Sequence, residues 1–194
     1  MRLFSSSGQR LPSLPVEAKL VYSFFALFSL LAIASSILLY EDMVGWRQRG
    51  VRAYYTGEAA APPASPEGAP DGPAIALPDE PPASTVAVAQ TYRKLLEVTH
   101  FHLFTVPVFL LIVAHLFMLG GLSPRTKIAW IVAAWLAAVA HLAAPGAVRY
   151  GVGGGSWLYG VSGAAFAITS LVLTVHPLLA MWLGGGPKVA TRGD

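Results

Sequence analysis

The chain has 194 residues, is 55% hydrophobic and only 12% charged, and carries a net charge of +3. A charged fraction about half the ~25% usual in soluble domains indicates one small membrane domain, and a slight basic excess confined to loops and tails excludes a nucleic-acid footprint. Cysteine is absent, which excludes disulfides, thiolate-built zinc and iron–sulfur centres, covalent c-type haem and palmitoylation.

A bilayer-spanning helix needs roughly 20 apolar residues, and four stretches qualify. After a short N-terminal segment, 1–19, the first span covers 20–40 and carries no charge. Its Ala32-Ile33-Ala34 matches a signal-peptidase site behind the basic Arg2 and Arg10. The apolar run continues through Leu39 to Tyr40, so a retained helix is expected. A long loop, 41–90, follows. Its first part mixes Trp46, Tyr54 and Tyr55 with Arg47, Arg49 and Arg52 and suits a membrane surface. Its middle, 59–83, is Ala/Pro/Gly-rich and reads as a flexible linker. From Ser84, which is placed to cap a helix, Val88, Tyr92, Leu95, Leu96 and Thr99 recur at helical spacing. The second helix therefore starts outside the membrane and enters it as a span over about 102–121. The third span, 128–144, is bracketed by the turn signals Ser123-Pro124 and Pro145-Gly146. The fourth covers 157–183 and leads to a short tail, 184–194. Arg2, Arg10, Lys19, Arg125, Lys127, Lys188 and Arg192 fall on one side of the bundle. The positive-inside rule puts that side, and both termini, in the cytoplasm. The expected fold is an all-α, four-transmembrane-helix bundle.

All five histidines, His100, His102, His115, His141 and His176, lie in or beside these spans. An imidazole in hydrocarbon is expensive and finds a partner or a ligand. At a rise of ~1.5 Å per residue, His115 and His176 fall at matching depth toward the cytoplasm, and His141 falls with His100 or His102 near the outer edge. About 60° of helical rotation separates His100 from His115, and about 140° separates His102 from His115; neither value selects the outer ligand. Paired neutral imidazoles at two levels suit two bis-histidine haem irons, and such centres carry electrons without offering an open coordination site. Small residues along Gly153–Gly155 and Gly160–Ala165 suit a flat macrocycle, or equally a close helix–helix approach. Arg47, Arg49, Arg52 and Arg149 are placed to pair with propionates or with lipid headgroups. Glu97 and His100 form an E-x-x-H unit, half of a di-iron motif. The other three spans contain no acid, so at most a small metal site with His141, or a general base at an outer quinol site, follows from it.

This pattern resembles the small b-type cytochromes that anchor respiratory dehydrogenases, the formate-dehydrogenase gamma subunits and cytochrome b561-like proteins, over residues 91–183. The shared features are one helix with two histidine levels and single histidines on two others. The resemblance implies a subunit of the bacterial inner membrane that holds one or two b-type haems. It would pass electrons between the quinone pool and other redox subunits or a periplasmic cytochrome. The inner haem would use His115 and His176; the outer would use His141 with His102 or His100. A haem-free accessory or assembly subunit, and a histidine-based metal or proton carrier, stay open as alternatives.

Overall fold

A computed structural model describes residues 11–45, 48–57 and 88–184. The expected linker, the Ser84 cap, Trp46, Arg47 and the basic residues of both tails lie outside the described residues, as does the side chain of Arg49. A 3-10 turn, Leu11–Ser13, precedes five helices: α1 (Val16–Met43), α2 (Gln48–Thr56), α3 (Tyr92–Met118), α4 (Pro124–Arg149) and α5 (Gly155–Leu183). All except α2 are long and apolar enough to cross a membrane. The protein is an all-α bundle of four such helices, with large apolar side chains covering its outer surface, as a lipid environment demands.

Local chemistry sets the helix ends. Thr91 caps α3 by accepting from the Lys94 amide at 3.2 Å, and Ser123 caps α4 from the Thr126 amide at 3.3 Å. Pro124 follows at the position where its missing N–H is harmless. The Lys127 ammonium donates to the Met118 carbonyl at 2.7 Å, tying the start of α4 to the end of α3. Two boundaries differ from the sequence expectation. Residues 88–90 are not helical, because both backbone groups of Gln90 bond elsewhere: its N–H to the Tyr55 carbonyl at 3.2 Å, and its C=O to Arg149 Nε at 2.9 Å. Helix α4 runs through Pro145 to Arg149 rather than stopping at Pro145-Gly146. A proline removes one helical hydrogen bond, and buried Ala144 and Val148 hold the helix across it.

α5 is the hub, packing on α1, α3 and, most extensively, α4. The α4–α5 seam is built of small residues: Ala134, Ala137, Ala138 and Ala144 on α4, with Gly155, Ser162 and Thr169 on α5, are buried. This is the small-residue packing that substitutes for a hydrophobic driving force inside lipid. A second core joins Leu110, Val113, Ala114 and Phe117 of α3 to Ala134, Ala138 and Leu173. Helix α1 leans on α5 at both ends. Tyr40 stacks on Tyr159 at 5.9 Å; at the other end Trp182 Nε1 donates to Ser23 Oγ at 2.9 Å, and Lys19 lies over the Trp182 ring. The end carrying Lys19, Arg125 and Lys127 is called the basic end below, and the opposite end, covered by α2, the loop end.

Candidate functional site

Helix α3 has two opposed stripes, and they separate its three histidines. Val106, Leu110, Val113 and Phe117 form the bundle-facing stripe, and His102 continues it at a spacing of four. The opposite stripe carries the exposed Phe104, Val108 and Leu111, and His100 and His115 extend it at either end. His100 packs edge-on against Phe104 at 5.2 Å. The structure thus separates His102 from His100 by the direction each faces.

At the basic end, His115 and His176 share a level but not a face. His115 is exposed in the last turn of α3. His176 lies edge-on to Phe117 at 5.2 Å. Phe117 is two residues from His115, or about 160° around the helix. The His176 ring sits against Gly120, where an added Cβ would fall 2.8 Å from Cε1. Its Nδ1 is buried without a hydrogen-bond partner. Lys127 is close enough for its charge to act on the ring. Both imidazoles therefore stand near the α3–α4 turn.

At the loop end two histidines stand on neighbouring helices. His141 faces α5 from α4, among Tyr159 (5.1 Å between ring centroids), Phe166 (6.3 Å) and Gly163, whose absent Cβ would meet Cε1 at 3.1 Å. Ser162 Oγ is 3.4 Å from its Nδ1 and itself donates to the Tyr159 carbonyl at 3.3 Å. His102, on the neighbouring α3, is exposed. Its own Nδ1 lies 2.7 Å from the Val98 carbonyl. A carbonyl only accepts, so Nδ1 carries the proton and Nε2 keeps its lone pair. Metal-ligating imidazoles are commonly fixed in this way, with Nδ1–H on a backbone carbonyl and Nε2 left for the metal.

Above His141 lies an aromatic cap that the sequence did not reveal as a unit. α2 lays Val51 and Tyr55 onto Val148, Tyr40, Leu95 and Tyr159. Tyr55 meets Tyr159 edge-on at 5.5 Å. Burial, and secondarily Tyr159 alongside, pushes the Tyr55 phenol far above its ordinary range; Tyr54 is raised for the same reasons. The nine-residue α2, with Val51 and Tyr55 at helical spacing, was the signal for the cap.

The other predicted features are divided. Glu97 pairs with Arg93 at 3.2 Å on the exposed surface. Among the described residues no group of three or more His, Asp or Glu side chains is arranged to hold a metal ion. Gly155 and Gly163 serve close contact, with α4 backbone and with the His141 ring respectively, while Gly153 and Gly160 face open space. The α4–α5 seam is closed by these contacts at Gly155 and Gly163. Of the four arginines considered for propionates, Arg149 is engaged with Gln90.

Residues 45–188 match the family Aq_1264_TM, described as a transmembrane helical domain. That is most of the chain, and the chain belongs to this family. No curated protein matches it, and no solved structure does.

Proposed function

We propose that this four-helix membrane protein is an electron-transfer subunit that binds a b-type haem near its loop end, through His102 and His141, and exchanges electrons between the quinone pool and a redox partner on that side. What supports the reading is that His102, on the bundle-facing stripe of α3, and His141, on α4, belong to packed neighbouring helices toward the loop end. The His102 tautomer suits ligation, and Ser162 Oγ stands 3.4 Å from His141 Nδ1, where it helps orient the ring. A bis-imidazole haem supplies reversible one-electron chemistry without an open coordination site. The chain's own part is to fix both rings, to keep water from His141 with the tyrosine cap, and to present a surface at α2 where a partner can come close. His115 and His176 face different directions within one chain and take no part in this reading. By the positive-inside rule the loop end faces away from the cytoplasm.

The test is a reduced-minus-oxidised spectrum of the purified protein, with haem quantified per chain. His102→Ala and His141→Ala should each abolish the Soret band, while His100→Ala and His115→Ala should retain it. Protein made with ample haem supply and showing no band would sink the proposal and favour a haem-free accessory subunit. A band indifferent to His141→Ala would move the site elsewhere in the bundle.

A further inference from the structure

Hydroxyl side chains inside these helices normally bond back to their own backbone. Ser23 donates to the Lys19 carbonyl, Ser29 to Phe25, Thr105 to Phe101 and Thr169 to Ala165, at 2.7–3.0 Å. Two do not. Ser170 and Thr174, 1% and 4% exposed, are among the most buried polar residues of the bundle, and neither hydroxyl has a partner. They are one turn apart on α5, on one face. Pro177, three residues beyond Thr174, lacks an N–H, so the Leu173 carbonyl has lost its helical donor. Two unpaired hydroxyls thus stand within one turn, beside a carbonyl that lacks its usual helical donor. An unpaired buried polar group is destabilising, and native interiors rarely leave one without a water.

A cavity lies against this face. Thr174 and Pro177 line it together with Tyr22 and Ala26 of α1 and Val113 of α3, and about 10 Å³ of it is open to the centre of a water-sized sphere. That is room for about one water molecule. The lining contains no carboxylate, and a cation there would be an uncompensated charge in a low-dielectric interior. His176 Nδ1, also orphaned, points about 160° away around α5, toward Gly120, and belongs elsewhere.

We propose that a single water molecule is bound between α1, α3 and α5. It accepts from the Thr174 hydroxyl, which lines the cavity, and donates to the carbonyl of Leu173, another lining residue. It repairs the hydrogen-bond gap at Pro177 and places exchangeable protons inside the apolar bundle, between the two histidine levels. The site does not depend on the haem reading.

The experiment is nuclear magnetic resonance on the full chain in detergent micelles with labelled threonine methyls, measuring magnetisation transfer from water. The Thr174 methyl should show a cross-peak at the water frequency, and the Thr169 methyl, whose hydroxyl is bonded to Ala165, should not. Thr174→Val, which keeps the shape and removes the hydroxyl, should lower the unfolding midpoint because the water loses an anchor. Should that variant not fold, the wild-type spectrum decides alone. Absence of the Thr174 cross-peak overturns the site, as does an equal cross-peak at Thr169. A midpoint raised by Thr174→Val, the result for a hydroxyl that is simply unsatisfied, also overturns it. So does a midpoint that climbs with sodium at constant ionic strength, because a cation is then the occupant.

Discussion

Replacing Gly155 by alanine tests the packing on which the α4–α5 seam rests. The added Cβ would lie 2.9 Å from the Ala147 carbonyl carbon, 2.9 Å from the Val148 nitrogen and 3.0 Å from the Ala147 oxygen. Carbon contacts are comfortable only from about 3.5 Å, so the helices must separate by roughly half an ångström at this point. All three atoms are backbone, and no side chain can rotate out of the way. Overpacking of this kind costs about 1–3 kcal/mol. Gly160→Ala is the control: it lies on the same helix, and its Cβ meets nothing within 4 Å. Both changes gain up to about 1 kcal/mol from alanine's helix preference. The difference between the variants therefore isolates the clash, and Gly155→Ala should be the less stable by about 1–3 kcal/mol. The assay is reversible unfolding in mixed micelles, followed by far-ultraviolet circular dichroism as the denaturing detergent fraction rises. Equal midpoints for the two variants would show that α4 and α5 do not meet at Gly155, and the seam would have to be redrawn.

Three further outcomes follow from the loop end and from the Trp182–Ser23 contact. Burial holds the Tyr55 phenol protonated in the fold, whereas an unfolded tyrosine ionises near pH 10; its contribution is therefore intact below about pH 10 and is lost as pH rises above that. An alkaline titration at 295 nm should show a late tyrosine signal, appearing only with unfolding, that Tyr55→Phe removes. Arg149→Ala breaks the bond to the Gln90 carbonyl and should speed proteolysis around residues 88–90 several-fold. Arg93→Ala, which breaks only an exposed pair, should not, since such pairs are worth about 0.3–0.5 kcal/mol. Trp182→Phe removes the hydrogen bond to Ser23 and should lower stability by about 0.5–1.5 kcal/mol, with Ser23→Ala giving no further loss on top of it.

The four long helices were legible because bilayer thickness imposes a length that few other constraints imitate. That His115 and His176 both fall at the basic end was legible too, since rise per residue converts sequence number into position along a helix. Facing was not. Whether His102 or His100 looks inward depends on which side of α3 meets α4 and α5, and apolar residues cover the helix all round in a membrane protein, leaving no hydrophobic stripe to consult. His115 illustrates the point: its depth matches His176, yet its direction opposes that of Phe117, which touches His176. Pro145 read as a stop because the rule for proline is local, whereas the burial of Ala144 and Val148 that carries α4 past it is tertiary. The small residues of α5 were ambiguous in the sequence between cofactor and helix contact, and the contacts at Gly155 and Gly163 resolve them as packing.

The placement of α1 has a consequence for biogenesis. The contacts at its two ends, with Tyr159 and with Trp182, are both to α5, the last of the described helices in chain order, while its middle meets α3 through Phe25 and Phe109. During synthesis α1 is therefore made well before the partners of its ends, while α3 and α4 can already close on each other through the Lys127–Met118 link. Both ends of α1 are fixed only once α5 is in place. A chain cut short before α5 leaves those ends exposed in the lipid to membrane quality control, while the α3–α4 hairpin beside them is already formed.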